Sequence, residues 1–173
     1  ELGKNVCAAK YAKIDKIGLE RPHDINNSSW REWHILYNVI KPIILNGICP
    51  NLPLLYGSFV KKKCKLHLRK KISSSPTNIL LLELAQGNLK DFFNAKPTEN
   101  ELYSALFQIS AGLHAIQFYG QIMNYDIKAA NILYYDVEPG GYWCYMIHNT
   151  NYYVPNYGKL FVLSDFGISR SFS

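Results

Sequence analysis

Two short segments hold the side chains best suited to chemistry. Asp126 is followed by Lys128 two positions later and by Asn131 five positions later, and Asp165 opens the sequence D-F-G. Phosphoryl transfer from a nucleotide requires positioned Mg²⁺, because the transferred group and the leaving phosphates carry crowded negative charge. An Asn and an Asp from adjacent loops can supply the oxygen ligands that Mg²⁺ prefers. A separate carboxylate must then lie where the attacking hydroxyl loses its proton.

A long amphipathic helix is predicted directly before the first segment. Thr98 and Glu101 form a capping box at its start, and Gly120 marks its end. Its apolar stripe consists of Leu102, Leu106, Ile109, Leu113 and Ile116.

The chain before this helix is predicted to consist mainly of strands. Residues 5–14, 54–60 and 79–84 are strand-like, and residues 64–69 alternate apolar and basic side chains. A further helix is expected from about Ser29, and Pro42 should end or kink it near the preceding residue. Strands first and a helix later favour an α+β fold in two parts that meet near residues 83–87.

The segment D-x-K-x-x-N followed by D-F-G resembles the eukaryotic-type protein kinase family, and a Lys two places after the Asp is typical of its Ser/Thr members. The resemblance implies a two-lobe fold, ATP and Mg²⁺ as cofactors, and transfer of the γ-phosphate to a protein substrate. It also implies that Asp126 is the catalytic base, that Lys128 neutralises the transferring phosphate, and that Asn131 and Asp165 bind magnesium.

The same resemblance assigns residues to the nucleotide site. Ala8, Ala9 and Lys10 are similar to the end of the V-A-I-K strand, so Lys10 would hold the α- and β-phosphates. Glu32 is the expected ion-pair partner of Lys10. The alternative for Glu32 is a capping box with Ser29, in which the carboxylate would bind backbone amides instead.

Residues 82–85 resemble the hinge between kinase lobes. The main chain of Glu83 and Ala85 would hydrogen-bond adenine, and Leu82 would flank the pocket. The pattern alone indicates only a buried strand. The expected division is a partial N-terminal lobe with the hinge in residues 1–85 and a partial, mainly helical C-terminal lobe in residues 86–173.

Two segments resemble the Ser/Thr kinases of large nucleocytoplasmic DNA viruses in particular. These are residues 49–57, with the sequence CPNLPLLYG, and residues 141–158. This likeness implies a viral protein that acts in the cytoplasm of the infected cell or is packaged in virus particles.

The chain departs from the family pattern in three respects. The family's H-R-D is Asn124, Tyr125 and Asp126 here, so the His that packs beneath D-F-G and the Arg that reads a phosphorylated activation loop are both replaced. No glycine-rich motif precedes Lys10, and no activation segment follows D-F-G. We therefore expect a kinase-like fold that is incomplete at both ends and inactive by itself. The competing hypotheses are a pseudokinase that binds a partner without catalysis and a small-molecule kinase of related fold.

An inserted β-hairpin is predicted within residues 136–160. Asn131 and Asp165 are separated by far more residues than a tight hairpin between them needs, and the stretch between them is rich in Tyr and Trp. The aromatic side chains of this hairpin are expected to pack on the catalytic lobe, with a docking surface for a partner as the alternative.

Composition limits the remaining functions. The formal charge is +6, but seven of the 19 basic residues lie in one run that begins at Lys61 and ends at Lys71. As a solvated strand and turn this run needs no function, and contact with nucleic acid, an acidic substrate or a targeting receptor is the alternative. The four cysteines form no C-x-x-C pair, so neither a zinc site nor a small disulfide framework is indicated. This cysteine pattern favours a protein of a reducing compartment. No apolar run is long enough to span a membrane.

Overall fold

The computed structural model describes residues 6–62, 66–68, 71–73 and 76–172, with only the backbone given for residues 63–75 where they are described. The strands are β1 Cys7–Lys13, β2 Leu55–Lys61, β3 Leu66–Leu68, β4 Lys71–Ser73, β5 Thr77–Glu83, β6 Gly87–Asn88, β7 Ile122–Met123, β8 Ile132–Asp136, β9 Tyr142–Ile147, β10 Thr150–Pro155, β11 Lys159–Leu163 and β12 Arg170–Ser171. The helices are α1 Lys16–Glu20, α2 Ser28–Ile35, α3 Lys41–Leu45, α4 Leu89–Asn94 and α5 Glu99–Phe118. The predicted α+β class is confirmed.

The first part of the chain forms a three-stranded antiparallel sheet in the order β1-β5-β2. The central strand β5 is buried along its first four residues, as a strand with neighbours on both sides should be. The edge strand β1 alternates exposed and half-buried residues because one of its faces meets water. Lys10 lies on the half-buried face and pairs with Leu80 of β5.

Helix α2 begins at an Asn cap. The Asn27 side chain accepts a hydrogen bond from the Ser29 N–H at 2.8 Å. Pro42 was expected to end or kink the helix; the helical path continues through a wide π turn at Leu36–Ile40 into α3, so the helix does not end there. Pro42 lies in the first turn of α3, where the missing backbone N–H costs little. The wider π turn that precedes it accommodates the proline within the helical path.

Helix α5 starts with the predicted capping box between Thr98 and Glu101. The predicted apolar stripe is narrower than expected, because Leu106 is 57% exposed. Small residues form much of the buried face instead. A Cβ atom on Gly112 would lie only 2.9 Å from the Asn51 carbonyl oxygen, so the loop at Asn51 packs directly against the helix backbone.

A buried polar network joins this loop, α5 and β11. Asn51 is fully buried, and its Nδ2 donates to the Phe161 carbonyl at 2.7 Å and to Gln108 Oε1 at 3.1 Å. Gln108 in turn accepts from the Phe161 N–H at 2.9 Å and donates to the Lys159 carbonyl at 3.1 Å. These bonds fix the strand that leads into Asp165.

The predicted insertion between Asn131 and Asp165 is a β-hairpin. Strands β8 and β11 pair with each other, and β9 and β10 form a second antiparallel pair between them. The two-residue turn of that pair has positive φ at both central residues, the geometry that closes a tight hairpin. Tyr145 and Val154 are buried against α5, whereas Tyr142 and Tyr153 are exposed, so one face packs on the protein and the other meets solvent.

The basic run that begins at Lys61 lies largely outside the described residues. Strands β3 and β4 pair through their backbones, which agrees with the predicted strand at residues 64–69, but the side chains are not among those described. The alternative of a nucleic-acid contact therefore stays untested. Within the described ranges, no helix is long and apolar enough to cross a membrane.

Candidate active site

A cavity of about 390 Å³ lies between the sheet and the part of the chain that follows it. Seven of the nine residues proposed from the sequence line it, and these are Lys10, Glu32, Leu82, Glu83, Ala85, Asn131 and Asp165. The other two, Asp126 and Lys128, are not part of its lining.

Lys10 projects from β1 to two carboxylates at once. Its Nζ lies 2.7 Å from Glu32 Oε1 and 2.9 Å from Asp165 Oδ1. Burial lowers the pKa of Lys10, but the negative charges and hydrogen bonds of the two carboxylates outweigh burial, so the pKa is raised and the ammonium stays protonated. The predicted ion pair with Glu32 is present. The capping-box alternative is wrong, because Asn27 and not Ser29 caps α2.

Glu32 joins this ion pair to the D-F-G segment. Its side chain is nearly buried, and Oε1 also accepts the Phe166 N–H at 3.4 Å. Phe166 is fully buried in the main hydrophobic core. One carboxylate on α2 therefore contacts both the lysine of β1 and the backbone after β11.

Asp165 has a backbone conformation that few residues other than glycine adopt. Its φ is +60°, in the left-handed region. A strained conformation of this kind persists only where the surroundings hold it, and such residues cluster at functional sites. Besides the bond from Phe166 to Glu32, two side chains contact the backbone here: Asn124 Nδ2 donates to the Asp165 carbonyl at 3.3 Å, and Arg31 Nη1 donates to the Gly167 carbonyl at 3.1 Å.

Asp126 lies in a second group of polar side chains. Lys128 Nζ lies 2.8 Å and 2.7 Å from its two carboxylate oxygens, and Asn131 Nδ2 lies 2.7 Å from Oδ2. The hydrogen bond from Lys128 and that from Asn131 lower the pKa of Asp126 against the opposing effect of desolvation. Asp126 is therefore ionised at neutral pH and can accept a proton.

Asn131 and Asp165 fit a hard divalent cation. Asn131 Nδ2 is occupied by Asp126, while Asn131 Oδ1 and Asp165 Oδ2 accept no hydrogen bond from any residue that the structure describes. Both side chains line the same cavity. An amide oxygen and a carboxylate oxygen are ligands that Mg²⁺ accepts, usually together with water and phosphate oxygens.

The other end of the cavity is apolar. Leu82 comes from β5, and Leu133 and Tyr135 come from β8. The N–H and the carbonyl of Ala85 make no main-chain hydrogen bond within the described part of the chain, so both are available to a ligand. Desolvation raises the pKa of the Glu83 side chain, which lies beside them.

Several cavity residues were missed by the sequence analysis. Leu133 and Tyr135 lie two positions apart on β8, shortly after Asn131. Because alternate side chains of a strand lie on the same face, this spacing could have predicted that both line the cavity. Leu36 also lines the cavity, and its helical spacing indicated a helix but not a place in the site; Pro53 comes from a loop, for which no periodic signal exists. Arg31, which contacts the D-F-G backbone, gave no signal of that role, and Asn124 was noted only as the replacement of the family's His that packs beneath D-F-G.

The chain is thus a mixed α+β protein with a lysine, two acids and an amide around one cavity, and two relatives to which it is similar carry kinase names. It is 32% identical over 152 residues to "Putative serine/threonine-protein kinase 019R" of Frog virus 3 (isolate Goorha), a match that covers 82% of this chain and 18% of that protein. It is 28% identical over 148 residues to "Probable serine/threonine-protein kinase 380R" of Invertebrate iridescent virus 6, covering 81% and 27% of the two chains.

A third relative is "Uncharacterized protein 011L" of Invertebrate iridescent virus 3, 27% identical over 147 residues, with 77% of this chain and 19% of that protein covered. No protein-family model matches the chain. The expected likeness to Ser/Thr kinases of large DNA viruses is confirmed. The chain spans less than a third of the length of these relatives.

Proposed function

We propose that this chain forms the nucleotide-binding and catalytic middle of a Ser/Thr protein kinase, which as a whole protein transfers the γ-phosphate of ATP to protein hydroxyls. The observation that carries the proposal is the position of Lys10, whose Nζ lies within 3 Å of both Glu32 and Asp165. Those three side chains come from β1, from α2 and from the loop after β11. Such convergence of distant segments on one cavity supports a site more strongly than the motifs alone.

The proposed fold is the two-lobe kinase fold, with residues 1–85 as the N-terminal lobe and hinge and residues 86–173 as part of the C-terminal lobe. Adenine would bind the main chain of Glu83 and Ala85 and lie against Leu82. Lys10 would hold the α- and β-phosphates, with Glu32 orienting its ammonium group.

Asn131 and Asp165 would hold Mg²⁺, which when bound neutralises the charge of the phosphates. Asp126 would accept the proton of the substrate hydroxyl, since it is ionised and held in place by Asn131 and Lys128. Lys128, which is exposed beside Asp126, would offset the negative charge of the transferring phosphate.

The proposal is tested with the full-length protein and ATP labelled in the γ-phosphate. Asp126→Ala should lower kcat for transfer to a protein substrate by about 10²- to 10⁴-fold, the usual contribution of a general base. Asp136→Ala is the matched control, because Asp136 is an exposed carboxylate paired with Lys159 and does not line the cavity. Equal transfer by the wild type and Asp126→Ala would contradict the proposed role.

A pseudokinase is the second candidate, and it is favoured by the replacement of the family's His and Arg with Asn124 and Tyr125. It predicts binding to a protein partner that survives Asp165→Ala. Magnesium-dependent turnover of ATP that is lost in the same variant would exclude this candidate. By likeness to the viral relatives, we also propose action in the cytoplasm of an infected cell or within virus particles, which fractionation of infected cells would test.

A further inference from the structure

The side chain of Arg31 binds three main-chain carbonyls. Its Nε donates to Ile25 at 3.1 Å, its Nη2 to Asn26 at 2.9 Å and its Nη1 to Gly167 at 3.1 Å. The first two carbonyls lie in the loop before α2, and the third belongs to D-F-G. A planar guanidinium has five N–H donors in a fixed fork, which suits a residue that must span such groups.

The loop before α2 is held firmly by its own contacts. Asp15 Oδ1 accepts the Gly18 N–H at 2.6 Å and the Asn27 side-chain amide at 3.1 Å. Trp30 Nε1 donates to the Gly18 carbonyl at 2.8 Å. The ring of His23 packs at 4.5 Å from that of Trp30. Arg31 therefore connects D-F-G to a fixed support.

Two consecutive residues of α2 bind two consecutive residues of D-F-G. Glu32 accepts the Phe166 N–H, and Arg31 donates to the Gly167 carbonyl. The same Glu32 oxygen receives Lys10. A shift of α2 that breaks the pair between Lys10 and Glu32 would thus also release the Gly167 carbonyl.

We propose that Arg31 is a positioning residue, which sets the backbone after Asp165 so that the Asp165 carboxylate faces Asn131 across the cavity. The inference rests on the proposed function and adds a residue to it. Removal of such a supporting contact commonly costs about 10- to 100-fold in metal affinity, although the residue itself touches no metal. The effect of Arg31 should therefore appear in the dependence on Mg²⁺.

The experiment measures binding of a fluorescent ATP analogue to the full-length protein as Mg²⁺ is varied. Arg31→Met and Arg31→Lys should each raise the Mg²⁺ concentration for half-maximal binding by about tenfold or more. The lysine retains the charge but cannot span three carbonyls. Arg21→Met is the matched control, since the Arg21 side chain is exposed and makes no hydrogen bond or ion pair with any residue that the structure describes. Its midpoint should equal that of the wild type.

Thermal melting of each variant separates a role at the site from a role in folding. If both Arg31 variants had the Mg²⁺ midpoint of the wild type, the inference would be overturned and the proposed function would stand. The same holds if their Mg²⁺ midpoints were shifted only as much as that of Arg21→Met. A lowered Tm with an unchanged midpoint would assign Arg31 to the fold alone and also overturn it. Wild-type protein that shows no magnesium-dependent nucleotide binding would overturn the inference and the proposed function together.

Discussion

The side-chain amide of Asn124 lies 3.3 Å from the carbonyl oxygen of Asp165. The oxygen of the same Asn124 amide, Oδ1, accepts a hydrogen bond from the Asp126 N–H at 2.9 Å. One nearly buried residue therefore connects the two acids to which the chemistry is assigned. The sequence pattern marks position 124 only as a lost histidine. In three dimensions the asparagine makes hydrogen bonds to both motifs, because its amide carries a donor and an acceptor.

Asn124→Ala should lower kcat and stability together. The change leaves the half-buried N–H of Asp126 and the Asp165 carbonyl without that partner, and each lost hydrogen bond costs about 0.5–1.5 kcal/mol. We expect a loss of about 2 kcal/mol in the free energy of unfolding and a fall in kcat. Urea denaturation and a transfer assay would measure the two effects. Full activity and full stability in the variant would show that these bonds are dispensable.

Lys10→Met should weaken nucleotide binding. The ammonium is held protonated by Glu32 and Asp165, and hydrogen bonds to charged groups contribute about 1.5–3 kcal/mol, or roughly 10- to 100-fold in affinity. Lys13→Met is the control on the same strand, because Lys13 is exposed at the end of β1 and does not line the cavity. Calorimetric titration with ATP and Mg²⁺ gives both Kd values. Equal Kd values for the two variants would contradict the assignment of Lys10.

The pH profile of phosphate transfer by the full-length protein should depend on Lys128. Hydrogen bonds from Lys128 and Asn131 keep the pKa of Asp126 below its ordinary value, so the proton-accepting form persists to lower pH than for a free carboxylate. Lys128→Met removes the larger of these effects and should move the acid limb of kcat/KM to higher pH. Lys159→Met, which breaks a distant ion pair with Asp136, should leave the limb in place. An acid limb in Lys128→Met at or below that of the wild type would exclude Asp126 as the titrating group.

Local patterns in the sequence predicted much of the structure. The capping box of Thr98 and Glu101, the pair of Lys10 with Glu32 and the inserted hairpin are all present. The capping box depends on residues three positions apart and the hairpin on alternating residues around a turn, whereas the pair of Lys10 with Glu32 was implied by the resemblance to the kinase family. The roles that those residues are assigned in catalysis stay predictions.

Other features depend on contacts between distant segments, for which a single sequence carries no periodic signal. Pro42 was expected to end or kink a helix, and the π turn before it allows the helical path to continue. Leu106 was assigned to a buried stripe that small residues take instead. Arg31 and Asn124 bind main-chain atoms of D-F-G. Because every residue type carries the same main-chain carbonyl, such partners cannot be predicted from the sequence.

Replacement of Asn51, which lies outside the cavity, should also affect the site. It is fully buried and donates to Phe161 and Gln108, so Asn51→Ala would leave these acceptors without that donor in an apolar interior. Gln108 Oε1 keeps its bond from the Phe161 N–H, whereas the Phe161 carbonyl loses its donor. At about 1–3 kcal/mol for an unsatisfied buried group, we expect a loss of about 2 kcal/mol in the free energy of unfolding. Asn100→Ala is the matched control, because Asn100 is exposed in the first turn of α5.

Asn51→Ala should also weaken magnesium-dependent nucleotide binding, since β11, which leads into Asp165, is bound to Asn51 through Phe161. Urea denaturation of the full-length protein measures the first effect, and the Mg²⁺ titration measures the second. A variant with wild-type stability would show that the network is not needed for folding. A destabilised variant with an unchanged Mg²⁺ midpoint would show instead that β11 keeps its place without Asn51, and that the contacts of Lys10, Glu32, Arg31 and Asn124 are sufficient to position Asp165.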